Sequence, residues 1–235
     1  MNDYLTRSKR LANGFIFILP LLVMYEVGIV MYGSQVKNSA DVMVKMPFAF
    51  FGRNGSLIFN MLVVVIFFVA VFRLEKEHKL KFRIYIPMFI ESFVYAIFLG
   101  PVVGRAVGYV MQRFLADPMT SSGTGVQIVL SVGAGVYEEI VFRLILLTVL
   151  NLLFCKVLRL NKTMGIVFSI IIGSVLFSAI HYVGSLSDTF TSSSFIFRFL
   201  AGAVLATIFM LRGLGIAVYT HAIYDVMLVI NFVGR

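Results

Sequence analysis

Residues 125–154 read GVQIVLSVGAGVYEEIVFRLILLTVLNLLF, thirty residues with three charges, Glu138, Glu139 and Arg143. A run this long and apolar is enough to cross a hydrocarbon core about 30 Å thick. Comparable runs recur on both sides, predicting further helices at roughly 13–33, 56–73, 84–112, 163–183, 195–211 and 214–233. The fold class is therefore all-α, a polytopic transmembrane helical bundle of about seven helices, six to eight. Charges inside such a segment cost about 3 kcal/mol each even on insertion scales, so they are normally kept for function.

Composition supports the same class. With 60% hydrophobic residues, 13% charged residues and a mean hydropathy of +0.98, the chain is not a soluble domain of 235 residues. The short alternating segments of an outer-membrane barrel are absent. Polar gaps reach about twenty residues at most, too few for a separate soluble domain. One integral membrane domain is expected, with three N-terminal spans over 1–124 and a helical core over 125–235. The single cysteine, Cys155, excludes an intrachain disulfide and reads as a small buried hydrophobe near a helix end.

The net charge of +9 is placed as topology signals rather than as a nucleic-acid surface, because Lys and Arg flank the apolar runs. Arg7, Lys9 and Arg10 before the first run resemble a signal peptide. That run is long, contains Glu26 and lacks a small-x-small cleavage site, so an uncleaved first span is expected. Twelve basic residues fall in the tail and in the 73–83, 155–163 and 212–213 connections, against six on the opposite side. This predicts a cytoplasmic N-terminus and an external C-terminus. Gly100-Pro101 predicts a kink or break in the third span. Gly100, Gly104 and Gly108 share a face that favours close helix approach. The GSLSDTFTSSS stretch at 184–194 reads as a polar loop.

Helix positions four apart share a face. Glu139 and Arg143 are therefore expected to pair, with the acid N-terminal to the base, the better order. Glu138 points about 100° away and is free for general base or acid work. Two histidines lie in later apolar segments: His181 ends FSAIH, and His221 opens HAIYD with Asp225 one turn on. Glu, His, His and Asp together suit either water activation or a divalent metal such as zinc, and whether there is a cofactor is left open. Glu26 and Arg105 are expected to pair across the first and third spans, and Glu91 to reach the interface. His78, in EKEHKLK, reads as a solvated loop residue. Tyr137 and Tyr182 adjoin the site as possible hydrogen-bond donors.

In order, EExxxR (Glu138-Glu139-x3-Arg143), FxxxH (Phe177-x3-His181) and Hxxx(N/D) (His221-x3-Asp225) resemble the CPBP family. These are the CAAX-protease and bacteriocin-processing enzymes of the Abi group. The resemblance covers roughly residues 125–230; the first three helices carry no signature. It implies an intramembrane endopeptidase acting on a membrane-associated protein or peptide precursor, in a bacterial or archaeal-type cytoplasmic membrane. Glu138 would activate water with help from His181, and Glu139 and Arg143 would support it. His221 and Asp225 would stabilise the oxyanion or hold the water, and Phe177 would shape the cavity wall against substrate. A metal, if present, would sit on Glu138, His181, His221 and Asp225. Family members with Asn at the last position have an amide donor there. Asp225 must instead be protonated, orient His221 or ligate a cation, and orientation of His221 is favoured.

Depth tests the composite site. Glu138 lies eighteen residues from Lys156 and His181 nineteen from Lys162, but His221 only nine from Arg212. At 1.5 Å per residue the mismatch is roughly 14 Å. It calls for a recessed 212–215 turn or a strongly tilted last helix. Two other functions fit buried Glu, His and Arg: a proton-coupled transporter and a non-catalytic immunity or regulatory protein. Against the first, the sequence shows no inverted repeat and no matched pair of broken helices.

Overall fold

The structure is a computed structural model that describes residues 2–33, 44–76, 81–107, 123–183 and 188–230. Eight helices occupy these residues: α1 (Asn2–Ser8), α2 (Leu11–Tyr32), α3 (Gly55–Lys76), α4 (Tyr85–Val107), α5 (Thr124–Val157), α6 (Lys162–Ile180), α7 (Ser192–Arg212) and α8 (Leu214–Val229). No strand occurs among the described residues. Seven of the helices match the expected spans, and α1, read from the sequence as a basic tail, is an addition. Five are long and apolar enough to cross a membrane, while the apolar stretches Met61–Leu74 and Leu214–Val229 are shorter.

The outer helices turn apolar side chains outwards, as lipid-facing spans do. Val65, Phe68 and Phe72 of α3 and Ile86, Ile90 and Phe98 of α4 are exposed. The short α8 is the centre of the bundle. It packs against α2, α4, α5 and α7, and its Ile216, Ala217 and Val218 are fully buried.

Local chemistry sets the helix ends. The Asn161 side chain accepts from Met164 N at 2.9 Å to start α6, and Thr191 accepts from Ser194 N at 3.2 Å to start α7. Between α7 and α8 stands one residue, Gly213, at φ 90°. A side chain there would be strained, and its Cβ would lie 3.0 Å from the Lys9 Cα.

The α4 helix is continuous through Pro101, so the expected break is absent. Among the described residues, nothing lies within 4 Å of the missing Cβ of Gly104, and Gly108 lies outside them. The close helix approach falls elsewhere. A Cβ on Gly135 of α5 would stand 2.6 Å from the Ala222 Cβ and 2.7 Å from the Ala222 backbone nitrogen of α8. Only glycine lets these two helices come so near, and the contact lies beside Glu138–Glu139 and His221.

The unequal residue counts do not keep the predicted residues apart, since His221 meets Glu139 at 2.8 Å. α8 runs alongside α4, with the Thr220 hydroxyl on Ser92 O at 3.4 Å. That level lies nine residues beyond Arg83, as His221 lies nine beyond Arg212. The α5–α6 hairpin is the longer arm. Phe142 meets Phe177 edge to face at 5.1 Å, and Phe154 meets Phe168 at 5.9 Å between ring centroids, so the two helices run side by side towards Lys156 and Lys162. By residue count α8 and the start of α4 are matched to each other, and the α5–α6 hairpin has more residues beyond this level.

Candidate active site

Three helices, α5, α6 and α8, bring the predicted residues together. The first part of α5, Thr124–Glu138, is α-helical and ends at Glu138. From Glu139 to Leu147 the same helix is π-helical. A π turn widens the helix locally, shifts its facing residues, and occurs frequently at functional sites. Here the change of pitch lies between the two glutamates. Phe177 is in the last turn of α6, and His181 is the residue just past its end. His221 and Asp225 share a face of α8.

Glu139 is fully buried and anchors the cluster. Its Oε1 lies 3.0 Å from an Arg143 guanidinium nitrogen and 2.8 Å from His221 Nδ1. Arg143 packs face-on over the Phe177 ring at 4.2 Å and sends a second nitrogen towards Gly202 O at 3.5 Å. The expected Glu139–Arg143 pair is thus present. It has two further contacts that helical spacing did not reveal: His221 across the bundle and the α7 backbone.

A carboxylate paired with an arginine is an acceptor, so His221 Nδ1 donates to it. His181 Nδ1 lies 2.8 Å from Phe177 O, and a carbonyl only accepts, so that nitrogen also carries the hydrogen. Both rings therefore turn Nε2 inwards. His181 Nε2 and His221 Nε2 stand 4.0 and 3.9 Å from the same Glu138 oxygen, Oε2. Asp225 Oδ2 is 3.4 Å from His221 Nε2. His221 is therefore held at Nδ1 by Glu139 and faced at Nε2 by Asp225, where the sequence named Asp225 alone. Side-chain exposure grades across the site, from 0% at Glu139 through 14% at Glu138 to 26% at Asp225, so the cluster opens on the Glu138–Asp225 side.

The flanking tyrosines face away from the site. The Tyr137 hydroxyl donates to Glu26 at 2.9 Å, and Tyr182 donates to Ser194 at 2.8 Å. Glu26 takes Lys45 at 3.3 Å as its ion-pair partner rather than Arg105, which is exposed. Lys45 arrives from the connection between α2 and α3, whose spacing relative to α2 no helical rule gives. Glu91 pairs with Arg212, the last residue of α7. His78 lies outside the described residues.

A tetrahedral zinc with N and O ligands at about 2.1 Å holds its ligand atoms about 3.4 Å apart. His221 Nε2 and Asp225 Oδ2 meet that separation, but Glu138 Oε2 is wider from both imidazoles. Among the described residues, no three His, Cys, Asp or Glu side chains converge closely enough to hold a metal ion. The expected ligand set of Glu138, His181, His221 and Asp225 does not fit a directly ligated metal as it stands.

Residues 120–227 match the sequence model of the Rce1-like family, described as type II CAAX prenyl endopeptidase Rce1-like. The matched span contains all three motif blocks, from Glu138 to Asp225, and agrees with the CPBP resemblance. The match supports an intramembrane CAAX-type endopeptidase in general, and that family implies a membrane-associated protein as the class of substrate. Neither a curated protein nor a solved structure matches the chain.

Proposed function

We propose that the protein is an intramembrane endopeptidase in which Glu138, flanked by two imidazoles, activates the water that hydrolyses a peptide bond of a prenylated, CAAX-like membrane protein. The observation that carries this reading is the convergence of His181 Nε2 and His221 Nε2 on one oxygen of Glu138. Two groups bridged by one water through bonds of about 2.8 Å stand about 4–5 Å apart, close to the separations found here. A water among Glu138 and the two imidazoles would give its proton to Glu138 as the oxygen attacks the scissile carbonyl. Glu138 would then return that proton to the leaving amine. His181, with its hydrogen fixed on Nδ1, presents a lone pair that orients the water. His221 can carry a proton on each nitrogen, one aimed at Glu139 and the other at the Asp225 side, and so can meet negative charge developing on the carbonyl oxygen. Glu139 and Arg143 hold that ring in place. Phe177, edge-on to His181 at 5.0 Å between ring centroids, keeps one wall apolar.

The transporter alternative gains no support from this arrangement, because the acid is backed by two oriented imidazoles rather than aligned along a conduction path. The basic-residue count supports a cytoplasmic N-terminus for the embedded chain.

The test is comparative membrane proteomics of cells carrying wild type or Glu138→Gln, with metal analysis of the detergent-purified protein. An uncleaved precursor accumulating in the variant, from a wild type with no stoichiometric metal, is the expected result. Normal processing by Glu138→Gln would overturn the protease reading. Stoichiometric zinc, lost together with activity on chelation, would replace the metal-free route with a zinc-bound one.

A further inference from the structure

We propose that Arg198 is a positioning residue for His181, acting through Asp188 and Tyr182; this rests on the endopeptidase reading above. His181 is the first residue beyond α6, where the chain continues only as single turns, Tyr182 N donating to Ala179 O at 3.1 Å and Val183 N to Ile180 O at 3.2 Å. A tie from outside the helix reaches His181 as well. Its carbonyl accepts from Asp188 N at 2.8 Å. The Asp188 carboxylate in turn receives an Arg198 nitrogen at 2.6 Å. The other arm of the same guanidinium donates to the Tyr182 hydroxyl at 3.0 Å and to Ser194 Oγ at 2.5 Å. One rigid fork therefore grips the residue after His181 and the residue bonded to its carbonyl.

The platform beneath this fork is firm. Arg198 belongs to the second turn of α7, which Thr191 caps, and Ser178 Oγ donates to Phe195 O at 2.8 Å to tie α6 to α7. The Tyr182 ring lies among Phe190 and Phe195, with centroids 5.0 and 6.2 Å away. Asp188 is about half exposed, so the ion pair adds little to stability, and its effect is on geometry. Lysine cannot replace this guanidinium fully, since three partners lie in two directions and need a planar fork.

The test uses full-length protein in detergent, in a His78→Asn background that leaves two imidazoles, with a farnesylated, internally quenched CAAX peptide as the probe. Arg198→Ala should lower kcat by about ten- to a hundredfold, the scale of an ångström-level misplacement, with KM within about twofold. The thermal midpoint should move by about 2 °C or less. Arg198→Lys should recover part of the loss. Asp188→Asn should cost less than Arg198→Ala, and the double variant should be no worse than Arg198→Ala alone, because both act along one path. An unchanged kcat, a loss confined to KM, or a fall in midpoint that accounts for the activity loss would each overturn the proposal.

A second measurement is independent of turnover. Imidazole 15N spectra should show His181 protonated at Nδ1 in the parent and averaged between tautomers in Arg198→Ala, with His221 unchanged. An unaltered His181 signal overturns the proposal. A parent that does not cleave the probe, and gains nothing over Glu138→Gln, counts against the endopeptidase reading instead, and the spectra still decide the positioning role.

Discussion

Two buried clusters in this bundle are built from the same parts, a glutamate and an arginine with polar satellites, and differ in how completely the acid is satisfied. Glu91 of α4 accepts from Arg212 through both of its oxygens, from Tyr4 at 2.6 Å and from Tyr95 at 2.9 Å. It joins three elements, α1, α4 and the end of α7, and its lone pairs are taken by donors. Glu138 is the opposite case. Among the described residues no donor hydrogen-bonds its carboxylate; it faces two imidazole nitrogens at about 4 Å, and its arginine neighbour serves Glu139 instead. A carboxylate surrounded by donors is a strut, because taking up a proton would break several bonds at once. A carboxylate left without donors, beside oriented imidazoles, can gain and lose a proton without disturbing the fold.

The sharpest way to break this comparison is to neutralise each acid in turn. Glu138→Gln removes the proton acceptor and preserves shape, so turnover of a prenylated CAAX peptide should fall by about a thousandfold or more. The thermal midpoint should stay at that of wild type. A large drop in midpoint, or retained turnover, would mean that Glu138 is also a strut.

Next in size is Gly135→Ala. The added methyl would stand 2.6 Å from the Ala222 Cβ and against Ala222 backbone, which cannot rotate away. α8 has to shift outwards, carrying His221 from Glu138 and Glu139. An ångström of such displacement costs on the order of a hundredfold in kcat. Ala222→Gly should restore part of the loss by removing the opposing methyl, and no recovery in the double variant would show that the contact does not set the spacing.

These two sites also mark how far the sequence could be read. Glu139–Arg143, Phe177–His181 and His221–Asp225 were legible because each pair sits at helical spacing inside an apolar run, where a polar residue is conspicuous. The seven long apolar segments were legible for the same reason. The His221–Glu139 bond was not, since it links residues 82 positions apart and depends on how nearly two helices can approach. The π-helical stretch after Glu138 was hidden as well, because VFRLILL contains no Gly or Pro to announce a change of pitch. Small residues at four-residue spacing permit close approach, but a partner must be there, and among the described residues Gly104 faces none within 4 Å while Gly135 faces one. Glu26 was matched to Arg105 on depth alone, while the cation that arrives, Lys45, comes from a connection.

The strut makes the third prediction, now on stability. Glu91→Gln leaves the Arg212 side chain, only 10% exposed, without its carboxylate. Breaking one partner of a buried ion pair costs about 3–5 kcal/mol, so the folded fraction in a denaturant or thermal series should fall clearly. The kcat of the molecules that remain folded should stay within about threefold of wild type, because His221 lies nine positions beyond Arg212 and α8 is held by other contacts along its length. Equal losses in kcat and stability would erase the distinction between the two acids.

The smallest expected effect is the most discriminating, because it sits one residue from the site. Tyr137 precedes Glu138, but its hydroxyl turns the other way, donating to Glu26 at 2.9 Å. The Lys45 ammonium lies 5.5 to 5.9 Å from the Tyr25, Phe59 and Tyr137 ring centres. Tyr137→Phe keeps the ring over Lys45 and removes one hydrogen bond, so about 1 kcal/mol of stability should be lost and kcat should change by less than about twofold. Glu26 retains Lys45, which prevents a larger penalty. A tenfold loss of kcat at wild-type stability would show that the two faces of α5 are coupled across a single peptide unit. The separation between a satisfied acid that holds helices and an unsatisfied one that does chemistry would then fail where they lie closest.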